Sequence, residues 1–277
     1  MPFRLFVCLQ ITKTAIQFLR CPTLDYTAVL IGAGNGTMIS AGSAILETAL
    51  AAEISGAMPS DEGTHDLLFE IGSREPLRYT LYLPTVVPRD KTQPLVLVLH
   101  YGGQPVGFYG RSLITLLVLP ALAALKPVII APVAMGGDWT TGDNERAVLE
   151  LLAMVERTYL TDPGRRLVTG YSMGGVGAWH MVARHGDRFS AAIAISGFKP
   201  IAPESPETPM YALHSRSDSI FDADQLQRLI DGMAAASREA KVEFVDGVDH
   251  YDISAFVPLL ERTVPWLRAL WQREPTE

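Results

Sequence analysis

The chain has 277 residues, of which 48% are hydrophobic and 19% are charged, and its formal net charge is −7. It is long enough to bury a sizeable core, as one large domain or two small ones. The negative balance, without a basic cluster, disfavours nucleic acids and anionic membrane surfaces as partners. The two cysteines, Cys8 and Cys21, both lie near the N-terminus, which excludes a metal site built from cysteines elsewhere in the chain.

Residues 1–62 differ from the rest and predict an N-terminal extension, with the uncharged run AVLIGAGNGTMISAGSAIL at 28–46. Three interpretations compete for it. The run is apolar, and the sequence Ala49-Leu50-Ala51 has the form of a signal cleavage site, which favours a targeting segment. The turn GAGNG at 32–36 favours a dinucleotide loop, although Thr37 replaces its third glycine and no βαβ unit follows. The third is a loosely packed extension, so both cytoplasmic and secreted locations stay open.

Regular patterning begins near residue 63 with two predicted strands. The segments LLFEI and LRYTLYLP alternate in polarity around Gly72 and Ser73, which predicts an antiparallel pair. Short continuous apolar runs follow, and such runs are typical of strands buried on both faces of a parallel sheet. They occupy 94–99, 128–131, 167–169, 191–195 and 210–213.

Helical patterns fill the segments between these strands. They cover 112–125, 144–160, 177–184, 224–240 and 258–271. Asp143 is the predicted N-cap of the second helix, and the first is apolar nearly all round, which predicts burial against the sheet. Alternating strands and helices predict an α/β fold with a mostly parallel, doubly wound sheet over 63–277. In such sheets the functional residues follow the carboxyl ends of the strands.

One serine stands at such an end, in the stretch GYSMG. The pattern G-x-S-x-G describes a sharp turn from strand to helix that projects the hydroxyl of Ser172 as a nucleophile. Gly170 and Gly174 are expected because side chains there would collide where strand and helix approach. The pattern alone is weak, but a predicted strand precedes it and a predicted helix follows. The alternative is a serine that merely caps the helix.

A serine hydroxyl needs a base to accept its proton and an acid to orient that base. On a sheet with this elbow, the order along the chain is serine, then aspartate or glutamate, then histidine. His250 follows the predicted strand KVEFV and is the predicted base, the alternative being a surface position. Asp218 follows the predicted strand MYAL and is the predicted acid, with Asp222 or Asp224 as alternatives.

Four other histidines receive no catalytic role. His180 and His185 belong to the helix directly after the elbow and are poorly placed to turn back toward the serine. His214 is interpreted as structural, bonded to the loop that holds Asp218. His100 precedes the serine and is interpreted as support for its own loop.

An oxyanion formed on attack needs two N–H donors. The residue after the nucleophile, Met173, is the first predicted donor. The second is expected from the loop HYGG after the strand PLVLVL, where glycines let a backbone N–H face the substrate. Tyr101 and Gly102 are the two candidates.

These segments together resemble the α/β-hydrolase superfamily, specifically the esterases of the phospholipase/carboxylesterase and polyhydroxybutyrate-depolymerase-like group. The resemblance runs from about Arg78 to Leu270 and includes LYLP, LHYGG, VTGYSMGG, HSRSD and the late histidine. The stretch TDPGR at 161–165 and the pair Asp138-Trp139 are similar to that group as well. The family usually has His-Gly where this chain has His100-Tyr101, and a glycine where Ser215 stands.

The resemblance implies an α/β-hydrolase fold and hydrolysis of carboxylic esters through an acyl-serine, with no cofactor and no metal. Its substrates would be small esters with short-chain or aryl groups, and Trp139 would line the acyl or alcohol pocket. A serine peptidase or acyltransferase of the same fold is the first alternative. A non-catalytic binding module on this scaffold is the alternative from another class, and an oxidoreductase resting on GAGNG is a further one. Oligomeric state and firm membrane association are not indicated.

Overall fold

A computed structural model describes residues 10–12, 15–17, 31–32, 58–72, 75–85, 92–202 and 205–273. The chain divides into two compact units, Met1–Pro59 and Ser60–Glu277. In the first unit, the described residues form three short antiparallel strands, β1 (Gln10–Thr12), β2 (Ala15–Gln17) and β3 (Ile31–Gly32). Residues 33–51, on which the targeting and dinucleotide interpretations depend, lie outside the described residues, so these interpretations stay predictions.

The second unit is built on one sheet, which has eight strands among its described residues. Its edge-to-edge order is β4-β5-β7-β6-β8-β9-β10-β11. All neighbours from β7 to β11 pair in parallel, whereas β5 runs antiparallel to both β4 and β7. The strands are β4 (Gly63–Phe69), β5 (Leu77–Leu83), β6 (Gln93–Leu99), β7 (Val128–Pro132), β8 (Thr161–Tyr171), β9 (Ala191–Ile195), β10 (Met210–Ser215) and β11 (Ala240–Val245).

Three of the central strands, β6, β7 and β9, are buried along nearly their whole length, as their continuous apolar runs predict. Every residue of β7 and β9 is buried, and so is β6 after its first residue. The predicted doubly wound α/β sheet and its antiparallel first pair are therefore confirmed.

Helices cover both faces of this sheet. They are α1 (Arg111–Leu113), α2 (Leu119–Leu122), α3 (Gly142–Thr158), α4 (Met173–His185), α5 (Ala223–Ala235), α6 (Val257–Arg262) and α7 (Val264–Leu270). A core cluster on one face joins α1, α2, α6 and α7 to side chains of β6, β7 and β9. On the other face, α4 crosses β6 so closely that a Cβ at Gly177 would lie 2.8 Å from a methyl group of Leu99.

The helices differ from the predictions at several places, and the predicted helix 224–240, for example, ends at Ala235. Thr141, not Asp143, caps α3, because its hydroxyl accepts from the Asn144 N–H. The segment 112–125 contains a π turn at Ile114–Val118 just before Pro120, which has no N–H to continue the α-helical pattern. In that segment Leu116 is 50% exposed, so the helix is not buried all round.

The predicted C-terminal helix 258–271 is also interrupted. It is divided into α6 and α7, with Thr263 between them and a proline in the first turn of each. Pro265 explains the break, since a proline ring clashes with the carbonyl of the preceding turn and lacks a donor.

Candidate active site

Ser172 lies at the junction between β8 and α4, in a backbone conformation that few non-glycine residues adopt. Its φ and ψ are 55° and −115°. Such a conformation costs on the order of 1–3 kcal/mol and persists only where the surroundings hold it. Here the Ser172 N–H donates to the Ile195 carbonyl at 2.8 Å, and the Ser172 carbonyl accepts from the Val176 N–H at 3.0 Å.

Glycines permit this turn, as the sequence pattern predicts. A Cβ at Gly170 would overlap the carbonyl of Gly174, and one at Gly174 would overlap the carbonyl of Leu99. Gly197, at the end of the neighbouring strand, has the same function, because a Cβ there would overlap the carbonyl of Ser172. Sequence reasoning missed Gly197, although its position directly after a predicted buried strand was a usable signal.

The structure brings the three predicted catalytic residues into one hydrogen-bonded chain. His250 Nε2 lies 2.9 Å from Ser172 Oγ, and His250 Nδ1 lies 2.7 Å from Asp218 Oδ2. The side chains of His250 and Asp218 are only 3% and 0% exposed. Since the aspartate accepts at Nδ1, the proton of a neutral imidazole lies there and Nε2 is left to accept from the serine.

Asp218 is held as an anion in this buried position. Burial by itself raises the pKa of a carboxyl group, but hydrogen bonds from His250 and from the N–H groups of Phe221 and Ile220 outweigh it. The pKa of Asp218 therefore lies below its usual range. Both N–H groups donate to Oδ1 at 2.9 Å, so one oxygen anchors the loop and the other faces the imidazole.

Two buried hydroxyl groups tie the loop of His250 to the sheet, and sequence reasoning assigned neither. The Tyr171 hydroxyl donates to the His250 carbonyl at 2.7 Å. The Ser215 hydroxyl donates to the Val248 carbonyl at 2.6 Å. Both residues end strands, which is the position where such contacts arise, but their partners are remote in sequence.

The predicted oxyanion donors also converge. An added Cβ on Gly102 would lie 3.8 Å from the Cβ of Met173, so the loop after β6 approaches the start of α4. Among the described residues, no turn, loop or side-chain hydrogen bond uses the N–H of Met173, Tyr101 or Gly102. These three N–H groups stay the predicted donors to an oxyanion.

His100 sets the shape of this loop. Its Nε2 accepts from the Ala134 N–H at 3.1 Å, which leaves the proton on Nδ1 to donate to the Tyr101 carbonyl at 2.6 Å. Burial lowers the pKa of His100, and its bond to Tyr101 only partly opposes this, so the imidazole is neutral. This geometry agrees with its interpretation as loop support.

Trp139, the predicted contact with substrate, is a buried side chain under the loop of His100. It is 2% exposed, and its indole N–H donates to the His100 carbonyl at 2.8 Å. The ring lies beneath the loop, 4.8 Å from the His100 ring centroid. These contacts give Trp139 a role in supporting the loop, and its predicted contact with substrate stays a prediction.

Asp222 and Asp224, the alternative acids, belong to the start of α5. Asp222 caps α5, where its carboxylate accepts from the Gln225 N–H at 2.7 Å. Asp224 follows in the first turn of that helix.

His214 is fully buried and its Nε2 lies 2.9 Å from the Phe221 carbonyl, in the loop of Asp218.

His180 and His185 form a separate cluster on the far side of α4. Their Nε2 atoms lie 2.7 and 3.0 Å from the carboxylate of Glu145 on α3, and Arg184 donates to it at 2.8 Å. Burial alone would raise the pKa of Glu145, but bonds from Arg184, His185 and His180 lower it to about 2. The cluster joins two helices and does not reach Ser172.

Among the described residues, no group of three or more side chains could hold a metal ion. No helix in this described part of the chain has the length and apolarity needed to cross a bilayer. Residues 139–273 match the sequence model of the Esterase family, described as "Putative esterase". The matched segment includes Ser172, Asp218 and His250. No curated protein matches the sequence.

Solved structures share the fold. A thermostable esterase superposes with a TM-score of 0.64 and 20% identity, over 74% of this chain and 62% of its own. Esterase 2 of Thermogutta terrifontis, phosphoramylated by tabun, gives 0.63 and 14%, over 79% and 98%. The fluorophosphonate-binding serine hydrolase F of Staphylococcus aureus gives 0.60 and 13%, over 75% and 99%. This chain thus spans less than two thirds of the thermostable esterase.

The strand order and the superpositions define the class of fold. The protein has the α/β-hydrolase fold that its resemblance predicts. Residues 139–273, just under half of the chain, are in addition similar to the Esterase family.

Proposed function

We propose that this protein hydrolyses carboxylic esters through an acyl-serine intermediate, with Ser172 as nucleophile, His250 as base and Asp218 as orienting acid. The observation that carries the proposal is the continuous relay from Ser172 Oγ to His250 at 2.9 Å and from His250 to Asp218 at 2.7 Å. A serine that only capped α4 would need no such relay.

In the first half of the reaction, Ser172 Oγ forms a bond to the ester carbonyl carbon while its proton passes to His250 Nε2. The carbonyl oxygen becomes an anion and accepts from the N–H of Met173 and from that of Gly102 or Tyr101. Collapse of this intermediate breaks the bond to the alcohol oxygen, which takes the proton from His250. Asp218, as an anion, stabilises the charged imidazole during this step.

In the second half, water takes the place of the alcohol. His250 accepts its proton as the water oxygen bonds to the acyl carbon. Collapse returns that proton to Ser172 and releases the carboxylic acid. The proposed reaction needs no cofactor, because each proton lost by a nucleophile is returned to a leaving group.

The substrates we propose are small esters with short-chain acyl or aryl groups. Exposed apolar side chains belong to the loops that carry the acid and the base, since Ile220 is 53% exposed and Tyr251 is 74% exposed. Apolar groups at these positions suit the uncharged part of an ester.

The test is turnover of p-nitrophenyl esters of increasing acyl length by the wild-type protein and by Ser172→Ala, with a fluorophosphonate as a covalent probe. We expect the wild type to show an initial burst, to lose rate with chain length and to form one phosphonate adduct. Ser172→Ala should lose both activities, because no other group in the relay can form the acyl bond.

Retained turnover in folded Ser172→Ala would contradict the assignment of the nucleophile. Aminolysis or amide cleavage faster than ester hydrolysis would favour an acyltransferase or a peptidase of the same fold. A wild-type protein with neither turnover nor adduct would favour a binding module on this scaffold.

A further inference from the structure

Tyr171 immediately precedes the proposed nucleophile and contacts the proposed base. It is the last residue of β8 and is 1% exposed. Its hydroxyl donates to the carbonyl oxygen of His250 at 2.7 Å, across 79 positions of sequence. Successive side chains of a strand point to opposite faces of the sheet. Neighbouring residues at the end of a strand can therefore contact different parts of the protein.

This bond contacts the backbone of the proposed base directly. The other side-chain bonds to the backbone of its loop are made at neighbouring residues. Ser215 holds Val248, and the turn that follows is closed by the side chains of Asp249 and Asp252. Among the described residues, the hydroxyl of Tyr171 is the side-chain donor to the backbone of His250 itself.

The donor is packed in the core and is protonated at neutral pH. The Tyr171 ring belongs to the core cluster and makes an edge contact with Phe256, with ring centroids 5.6 Å apart. Burial raises the pKa of Tyr171 to about 12. The hydroxyl therefore keeps its proton at any pH where an ester hydrolase of this kind would work.

We propose that Tyr171 is a positioning residue, which fixes the backbone of His250 so that Nε2 stays in reach of Ser172 Oγ. The inference rests on the proposed function, because it assigns a second determinant of the same relay. Asp218 orients the imidazole ring from one side, and Tyr171 holds the backbone that carries the ring. One strand end thus places the nucleophile and locates its base.

The test compares Tyr171→Phe with Tyr211→Phe in the full chain. Both substitutions remove one tyrosine hydroxyl from the same sheet. Tyr211 is the control because its hydroxyl donates to Glu243 at 3.3 Å and its ring packs on Trp266, away from the relay. The measurements are kcat and KM for a p-nitrophenyl ester, the thermal unfolding midpoint, and the downfield NMR signal of the His250 Nδ1 proton.

We expect Tyr171→Phe to lower kcat roughly ten- to hundredfold with KM nearly unchanged, since small misplacements of a catalytic group have effects of this size. The Nδ1 proton signal should broaden or move. Tyr211→Phe should leave both unchanged, even where the two variants lose similar thermal stability.

A folded Tyr171→Phe with kcat within twofold of the wild type and an unchanged Nδ1 signal would overturn the inference. A merely structural role would lower the unfolding midpoint alone. Failure of the proposed function is recognised separately, by a wild-type protein without turnover or phosphonate adduct. The NMR comparison between the two variants tests the position of His250 in that case as well.

Discussion

Asp218 uses the two oxygens of one carboxylate for two purposes. Oδ1 accepts from two N–H groups of its own loop, and Oδ2 faces His250 Nδ1. The lowered pKa of Asp218 has the same origin, because every one of these donors favours the ionised form. At the scale of the residue, the acid of the relay is therefore both a loop anchor and an electrostatic partner of the base.

We predict that Asp218→Asn lowers kcat roughly 10³–10⁴-fold, because an amide can donate to Nδ1 and so favour the wrong tautomer of the base. The change keeps the size of the side chain, so the protein should remain folded. The measurement is kcat for a p-nitrophenyl ester at neutral pH.

Asp222→Asn is the matched control for this prediction. Asparagine caps helices as well as aspartate does, so α5 should be unaffected and activity should stay within about twofold. If Asp222→Asn were inactive and Asp218→Asn active, the acid would be Asp222, the alternative that the sequence leaves open.

At the scale of the element, α4 is the helix on which the site depends. Its first residue is Met173, and its last turn is fastened to α3 by Glu145. The side chain of Glu145 is 13% exposed, and its carboxylate contacts His180, Arg184 and His185. A carboxylate in such surroundings contributes stability because its ionised form is paired in the folded state alone.

We predict that Glu145→Gln lowers the free energy of unfolding by about 1.5–3 kcal/mol at neutral pH, the range for a lost hydrogen bond to a charged group. Because the folded-state pKa of Glu145 is about 2 and lies below its ordinary value, the contribution is present above about pH 4.3. It is lost as pH falls through the folded value. Burial also lowers the pKa of His180, which acts in the same direction.

Urea unfolding between pH 7 and pH 3 measures this difference. The wild type should lose more stability than Glu145→Gln as the pH falls, so the two curves converge. Glu150→Gln on the same helix is the control, because Glu150 is 42% exposed and lies 3.8 Å from Arg146. Parallel curves for all three proteins would refute the electrostatic account of this cluster.

At the scale of the whole molecule, the sheet and every proposed site residue belong to Ser60–Glu277. The core cluster is also contained in this unit. A chain of this size buries enough apolar surface to fold as one domain. We therefore propose that the catalytic part of the protein lies in this unit.

We predict that a chain beginning at Ser60 folds and keeps kcat/KM for a p-nitrophenyl ester within about twofold of the full chain. Thermal unfolding and the phosphonate adduct are measured beside the activity, with Ser172→Ala in the shortened chain as the control. An aggregated or inactive shortened chain would show that residues 1–59 are needed for the site.

Local signals in the sequence predicted much of this protein. Continuous apolar runs identify buried strands, because such a run is stable only with both faces covered. The elbow around Ser172 is legible because glycines are required wherever a Cβ would overlap backbone, as at Gly170 and Gly174. The order of serine, acid and histidine then follows from where successive strands of this fold end.

Features that depend on remote partners were decided by the tertiary structure. The bond from Tyr171 to His250 and the burial of Trp139 under the loop of His100 join segments that are far apart in the chain. The break before α7 and the N-cap at Thr141 depend on local residues. The sequence alone did not identify them, because nearby residues have similar preferences for breaking or capping a helix. Composition and spacing describe what one segment prefers, whereas these contacts depend on which segments the folded sheet brings together.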